Sequence, residues 1–544
     1  MQGARVTTDH HPFGVRGFGV APALAMIATL LWLYAPGFHG FWLGDDFGHL
    51  HQTFNWAQDG KLWSETMRKF SAPADAIGNF YRPLIFVTLS ANFALSGANY
   101  WGWFLTNLLL HVACALLLMW VLRRAVASVD RDAGTPAALV TLLFAASPLL
   151  VEGVMWVSAR SDLAVTTLAM LAAGLWLAPD HRDRRGFDPR FVIPLLVLVG
   201  LGFKESAAVL PLQLLLLALA RPRSVGRSGW WVLVSCAGVV VVFLAARAWW
   251  FESAWHAYAD GGERSLPEAV RSLPEWWHGA VAAAPRTALT WLLACLAAAL
   301  LSCRFARGHA PQLKLAAAFA GAGAGQLLAT LLNLGNFAAN GEGGRLLYGP
   351  IAWFALSLGV LIASSLDAEA SPTGRTRRRL ARIFVGLAVI CGILATHARV
   401  AQFASVQSEM RDLTAAIGRY AIARTDTTVL AIPDQRLGVV AARNGQGALV
   451  MPPLQSKGLL HRVVPTLPEE LALRPAQFAA GLGTQLTALQ PQRADLATLR
   501  LMLQPAPPSP APAYACWASG SREIVPVTPA EPDAIGPQLC ASSD

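Results

Sequence analysis

Charge is what this sequence has least of. Asp, Glu, Lys and Arg make up 14% of its 544 residues, against 54% hydrophobic ones, where a soluble chain carries about a quarter charged residues. That scarcity excludes a water-soluble globular protein of this length. Cysteine is sparse too: seven residues, none in a C-x-x-C pair, so neither a zinc motif nor a dithiol redox motif is written here. Cys114, Cys236, Cys295, Cys303 and Cys391 fall singly in or beside apolar runs. Cys516 and Cys540 are both in the polar tail, where a disulfide is plausible if the tail lies outside the cytoplasm. No internal repeat is found. The net charge of +10 is divided among short basic clusters between apolar runs, the pattern of membrane orientation rather than of a nucleic-acid face.

What is present is hydrocarbon-length apolar sequence. Runs of roughly 20 residues, the length that crosses a bilayer core, predict spans near 18–37, 102–122, 135–152, 163–178, 191–203, 206–220, 229–250, 286–303, 314–334, 346–366 and 382–402. The pair at 191–203 and 206–220 is too short for full-thickness crossing and is expected as two tilted or half-buried helices meeting at Lys204 and Glu205. Residues 1–17 read as a short cytoplasmic leader before an uncleaved anchor. Basic clusters at Arg123/Arg124, Arg182/Arg184/Arg185, Arg221/Arg223/Arg227, Arg304/Arg307 and Arg375/Arg377/Arg378/Arg379 mark the cytoplasmic side. The expected fold is therefore an all-α polytopic membrane bundle of about eleven spans, N-terminus in and C-terminus out, with domains at 1–402 and 403–544.

Two long outer loops, 38–101 and 251–285, interrupt the bundle. "YRPLIFVTLSANFALSG" in the first is apolar but short, and fits the interface better than a crossing. The second contains a Gly-rich turn and a short amphipathic helix with two tryptophans. After residue 403 the pattern changes. "TDTTVLAIPD" reads as a strand and turn, "QGALVMPPL" as a second short apolar run, 467–483 and 493–504 have helical spacing, and "QPAPPSPAPA" is a linker. The tail is expected as a small external α/β domain.

The ionisable groups at span edges gather on one side: Asp45, Asp46, His49, Arg82, Glu152, Arg160, Asp162, Lys204, Glu205 and Arg345. Such charges are costly near hydrocarbon and face a cavity or one another. In "FWLGDDFGHLH" the adjacent acids either stop a helix in solvent or supply one general base and one orienting group. Glu152, after the helix-breaking Pro148, either pairs with Arg160 or sits partly desolvated with a raised proton affinity. Lys204 and Glu205 either neutralise each other or leave Lys204 to hold a phosphate. Arg345, with Tyr348 one turn later, either snorkels or clamps an anion. His111, inside a span, reads as an interhelical hydrogen-bond donor.

"GDDFGHL", "YRPLIFVTLSANFALSGANYWGWFLTNLLLHVACALLL", "FAASPLLVEGVMWVSARSDL", "GFKES" and "GRLLYGP", in that order, resemble the transmembrane and tetratricopeptide-repeat O-mannosyltransferase group. Its broader relatives are the GT-C membrane glycosyltransferases. The resemblance spans about 40–370. It implies a polyprenyl-phosphate-linked sugar donor, an inverting transfer to a hydroxyl acceptor, and catalysis by Asp45 and Asp46, with Glu152 assisting. Lys204, Arg345 and Tyr348, with Arg82 and Arg160, would hold the donor phosphate, and His49, Asp162 and Glu205 would support them. No obligatory metal is implied, though a divalent cation is compatible. The tail lacks the 34-residue repeat pattern expected to engage a polypeptide, so glycolipid, polysaccharide and protein acceptors all stay open. Composition fits a bacterial inner membrane with the outer face periplasmic. The rival classes are a lipid-linked sugar flippase, which predicts midplane charges and paired half-helices, and a non-catalytic envelope assembly protein on the same scaffold.

Overall fold

The computed structural model describes residues 20–71, 80–126, 134–178, 188–222, 225–251, 266–306, 310–334, 341–366 and 372–423, then most of 428–467 and all of 513–527. Every apolar run read as a span carries helix. In chain order these are α1 Val20–Tyr34, α2 Asp45–Gln58, α3 Leu62–Arg68, α4 Pro83–Ser96, α5 Tyr100–Val126, α6 Gly134–Ala145, α7 Val151–Met155, α8 Arg160–Trp176 and α9 Ile193–Phe203. They continue with α10 Leu210–Ala220, α11 Gly226–Phe251, α12 Leu266–Arg271, α13 Leu273–Ala280, α14 Pro285–Ala306, α15 Ala310–Leu334, α16 Tyr348–Leu366 and α17 Pro372–Ile422. Among the described residues six helices are long and apolar enough to cross a membrane, or seven when a bent pair is taken as one span. Large apolar side chains such as Val241, Val242 and Leu300 point outward from α11 and α14, a surface suited to contact with hydrocarbon.

The bent pair corrects the straight span read at 135–152. Ser147 and Pro148 divide it, and the two parts meet at 48°. Proline cannot continue the helical ladder and crowds the preceding turn. The carbonyls near the break are taken by neighbours instead: His111 Nε2 donates to Ala145 O at 3.0 Å and Thr396 Oγ1 to Ala146 O at 2.8 Å. His111 is thus an interhelical donor, and its Nδ1 accepts from the Tyr348 hydroxyl at 2.6 Å. Helices α9 and α10 have eleven residues each, about 16 Å at 1.5 Å per residue. They are joined by a 3-10 turn at Glu205–Val209 that sets Lys204 in extended backbone between them.

The final helix is longer than its apolar core. α17 runs for 51 residues, about 76 Å, so the segment expected as a span at 382–402 continues unbroken past residue 403. Its far end carries the tail: Glu409 Oε1 accepts from Trp517 Nε1 at 3.0 Å and from Ser519 Oγ at 2.5 Å. The tail strands are β1 Thr428–Ala431, β2 Gln435–Arg436, β3 Val439–Val440, β4 Val463–Thr466, β5 Ala513–Ala518 and β6 Glu523–Val527. One sheet has the order β4-β1-β5-β6, with β1 parallel to both β4 and β5 and β6 antiparallel to β5; β2 and β3 form a separate antiparallel pair.

"QGALVMPPL", read as a second short apolar run, forms a 3-10 turn at Gln446–Val450. Cys516 is disulfide-bonded, while Cys540 and nearly all of the helical spacing at 467–483 and 493–504 lie outside the described residues.

The bundle has two unlike ends. Arg124 at the end of α5 donates to Gly174 O of α8 at 2.6 Å, and Arg221 after α10 donates to Ala125 O at 2.7 Å. The acidic helix α2, the starts of α5, α8 and α16, and the α9–α10 break share the other end.

Candidate active site

The acidic turn begins where Trp42 and Leu43 enter the core. Gly44 takes φ +49°, a backbone conformation that costs glycine little, and the chain turns there into α2. Asp45 and Asp46 fall in the first helical turn, where exposed N–H groups favour negative charge. Neighbouring positions on a helix diverge by about 100°, and the two acids have separate fates. Asp46 is 1% exposed. It accepts from Ser158 Oγ at 2.5 Å, from Ser158 N at 2.8 Å and from Leu43 N at 3.3 Å. Asp45 stays half-buried.

Burial pushes the Asp46 carboxyl up to about 7, against the pull of the Ser158 and Leu43 hydrogen bonds, and the Asp45 charge adds to the rise. The folded chain therefore holds a proton that an exposed Asp, at 3.8, has lost. Stability should fall as pH rises from about 4 to about 7 and then level off. Ser158→Ala removes a hydrogen bond that favours the charged form. It should move the Asp46 titration above 7, read by difference infrared spectroscopy of the carboxyl band. A titration that stays put or falls would refute this account of the pair. His49, facing the Phe86 ring, is lowered to about 4 by burial and by the charges of Arg160 and Lys69, so it is neutral at pH 7 and provides no cation for a phosphate.

Glu152 organises the turn that leads into α16. Its Oε2 accepts from Gly343 N at 3.0 Å and Gly344 N at 2.9 Å, and its Oε1 from Arg345 Nη1 at 2.6 Å. The Arg345 guanidinium lies 4.3 Å from the Trp156 ring centre, and Glu342 is 3.6 Å away. The carboxylate thus holds Arg345 in place, and the alternative pairing of Glu152 with Arg160 does not form. Glu152→Gln keeps the shape and removes the charge that fixes Arg345, and should lower stability by roughly 1.5–3 kcal/mol, read by thermal melts; an unchanged melting point would mean that the pair does not hold this turn.

The remaining cations are paired differently from either sequence alternative. Lys204 Nζ donates to both Asp162 oxygens at 2.7 Å rather than neutralising Glu205. Glu205 accepts from Arg82 Nη2 at 2.7 Å and from Arg247 Nη1 at 3.1 Å. Arg160, fully buried, donates to Asn107 Oδ1 at 2.9 Å, Trp103 O at 2.9 Å and Thr88 Oγ1 at 3.2 Å. It is a bracket between helices, and its charge still acts on Asp46. Tyr348 is also fully buried, with its hydroxyl on His111, a geometry that does not suit the anion clamp read from its spacing. Arg82 and Arg345 both act electrostatically on Lys204, which ties the two clusters together.

A small recess of about 10 Å³, room for about one water, lies beside this network, lined by Leu43, Glu152, Trp156, Glu342, Phe403, Val439 and Val440. Among the described residues no three His, Cys, Asp or Glu side chains are grouped to hold a metal. Sequence reading missed Ser158, whose partner lies 112 residues away. It also passed over Arg247, a lone cation inside the run 229–250, which is itself a signal of function.

No family model matches the sequence, and no curated protein matches it. Solved chains similar to it include ArnT from Cupriavidus metallidurans bound to undecaprenyl phosphate, at 12% identity over 92% of this chain and 94% of that one, with a TM-score of 0.46. The apo form of the same protein gives 12%, 91%, 92% and 0.45. The arabinofuranosyltransferase AftD from mycobacteria is 16% identical over 92% of this chain and 35% of its own length, with a TM-score of 0.47.

Proposed function

We propose that this chain is an integral membrane glycosyltransferase of the GT-C kind, moving a sugar from a polyprenyl-phosphate-linked donor to a hydroxyl acceptor at the periplasmic face of a bacterial inner membrane. One observation carries the reading. Of two adjacent carboxylates at the mouth of an apolar bundle, Asp46 is buried and fixed by Ser158, while Asp45 stays half-buried beside it. A solvated helix stop would need neither the burial nor the bracket.

The division suits proton transfer at an acceptor hydroxyl. Asp45 takes the acceptor's proton as its oxygen attacks the anomeric carbon, and Asp46 and Ser158 fix the turn that presents Asp45. The new C–O bond forms as the bond to the lipid phosphate breaks, and the phosphate leaves with the bonding electrons. Attack from the side opposite the phosphate inverts the anomeric centre. Charge growing on the leaving group needs fixed cations. Arg345, set by Glu152, is the first, with Lys204 and Arg82 behind it at the α9–α10 break. The polyprenyl tail would lie against the apolar helices.

Mass spectrometry of envelope glycans from cells with and without this chain is the direct test. The expected result is one sugar substitution missing when the chain is absent and restored by returning it. An unchanged glycan profile together with an altered distribution of lipid-linked sugar across the membrane would favour the flippase reading instead.

A further inference from the structure

The peptide group between Leu43 and Gly44 directly precedes Asp45, and it is held from both sides. Its carbonyl, Leu43 O, accepts from Trp156 Nε1 at 3.0 Å. Its N–H, on Gly44, donates to Ala441 O of the tail at 2.8 Å. A peptide group is a rigid plane, so bonds to its two polar groups fix its tilt. That tilt sets how the chain enters α2 and where Asp45 stands.

The tail side of this clamp is a backbone contact. Gly445 has φ −122°, a conformation open to any residue, so its backbone does not require glycine. A Cβ there would stand 2.0 Å from the Gly44 carbonyl oxygen and 3.1 Å from Phe47 Cβ, so the close approach to the acidic turn requires it. At Gly447 a Cβ would meet nothing within 4 Å. Two turns along α2, His51 Nδ1 donates to Pro452 O at 2.6 Å and fastens the same tail segment again.

Trp156 reaches the other cluster as well. The Arg345 guanidinium lies 4.3 Å from its ring centre, within cation–π range. The residue is itself mounted: its N–H donates to Glu152 O at 3.1 Å, and its carbonyl accepts from Asn107 Nδ2 at 2.9 Å. One buried indole, 4% exposed, thus touches the turn before Asp45 with its edge and Arg345 with its face. A buried carbonyl needs only some donor. A donor whose ring also seats the cation makes the spacing of acid and cation a property of one rigid side chain.

We infer that Trp156 is a positioning residue for sugar transfer, holding Asp45 and Arg345 at a fixed spacing, with the tail closing the clamp at Ala441 and Gly445. The inference rests on the glycosyltransferase reading and gives this tryptophan and the tail their part in it. Asp45 acts at the attacking oxygen and Arg345 at the leaving phosphate, so their spacing has to match the line of displacement.

The test uses full-length variants in cells lacking the chain, with envelope glycan read by mass spectrometry per amount of folded protein. The Asp46 titration is read on the purified proteins by difference infrared spectroscopy. Trp156→Phe removes the indole N–H and keeps a ring beneath Arg345. Product should fall roughly 10- to 100-fold, the effect of about 1 Å of misplacement. The freed Leu43 carbonyl draws in water, so the Asp46 titration should fall from about 7 toward the ordinary carboxylate range. Gly445→Ala, whose methyl meets the Gly44 carbonyl, should do both as well, and Gly447→Ala should do neither. Trp156→Leu also removes the ring beneath Arg345 and should leave less product than Trp156→Phe. Normal product from folded Trp156→Phe or Gly445→Ala overturns the inference, and so does lost product with the Asp46 titration unmoved. Gly447→Ala as impaired as Gly445→Ala overturns the tail's part, and equal product from Trp156→Phe and Trp156→Leu overturns the link to Arg345. Should either Trp156→Phe or Gly445→Ala fail to fold, the other decides by the same readouts. If neither folds, the clamp serves stability alone and the inference falls. Asp45→Asn run alongside keeps the two ideas apart. Normal glycan from that variant removes the enzyme reading itself, whereas lost glycan there with normal product from Trp156→Phe removes only the clamp.

Discussion

Asp45→Asn should reduce sugar transfer by about 10²–10⁴-fold, the usual contribution of a positioned general base. The substitution keeps the size of the side chain and removes its charge and its ability to take a proton at neutral pH. Asp45 is half-buried, where Asp46 is fully buried, so the expected loss is of rate more than of stability. Asp46→Asn is the instructive contrast. Asp46 accepts hydrogen bonds from both Ser158 and the Leu43 N–H. An amide can offer an oxygen to one of them and must present N–H₂ to the other, which leaves a buried donor facing a donor. That variant should lose stability as well as rate, by the roughly 1–3 kcal/mol of an unsatisfied buried group. Initial rates in membrane vesicles and thermal melts followed by size exclusion measure both effects. Equal loss of rate with equal loss of stability in the two variants would remove the division of labour between them.

Lys204→Met should cost about 3–5 kcal/mol, because removing one partner of a buried pair leaves the other charge uncompensated. Lys204 and Asp162 have side chains only 6% and 11% exposed and sit 2.7 Å apart. The double change Lys204→Met/Asp162→Leu should recover most of that stability, since two apolar groups need no partner, and the cycle isolates the pair. It also separates two roles for the lysine. If Lys204 only neutralises Asp162, the double variant regains activity with its stability. If its charge also serves the donor phosphate together with Arg82 and Arg345, the double variant folds and stays impaired. A double variant as unstable as the single one would mean that the pair is not what Lys204 holds together.

These variants concern residues that were all visible in the sequence, yet their relations were not. "GDDFGHL" marks an acidic turn after an apolar run, and "GFKES" marks a charged break between two short helices. Those features are local, and so are the lengths of the apolar runs, each of which carries a helix here. Hydrocarbon length, helix-breaking proline and the expense of charge near lipid are written residue by residue, and they sufficed for an all-helical membrane bundle with its unusual charges at one end. The strand at "TDTTVLAIPD" was legible for the same reason. The 3-10 turn in "QGALVMPPL" was not, because a short apolar run does not by itself fix the backbone conformation.

Partnership was decided elsewhere. Sequence shows that a buried charge must be neutralised but not by whom, and adjacency in the chain suggested Glu205 for Lys204. Packing gave Lys204 to Asp162, 42 residues away, and gave Glu205 to Arg82 and Arg247. Ser158 reaches Asp46 across 112 residues and makes two look-alike acids chemically different. The tail, read as a separate outer module, closes over the acidic turn through Gly44 and His51. Hydrophobic run and charge placement are properties of single segments, whereas ion pairing and burial depend on which segments meet, and only the folded bundle brings those segments together.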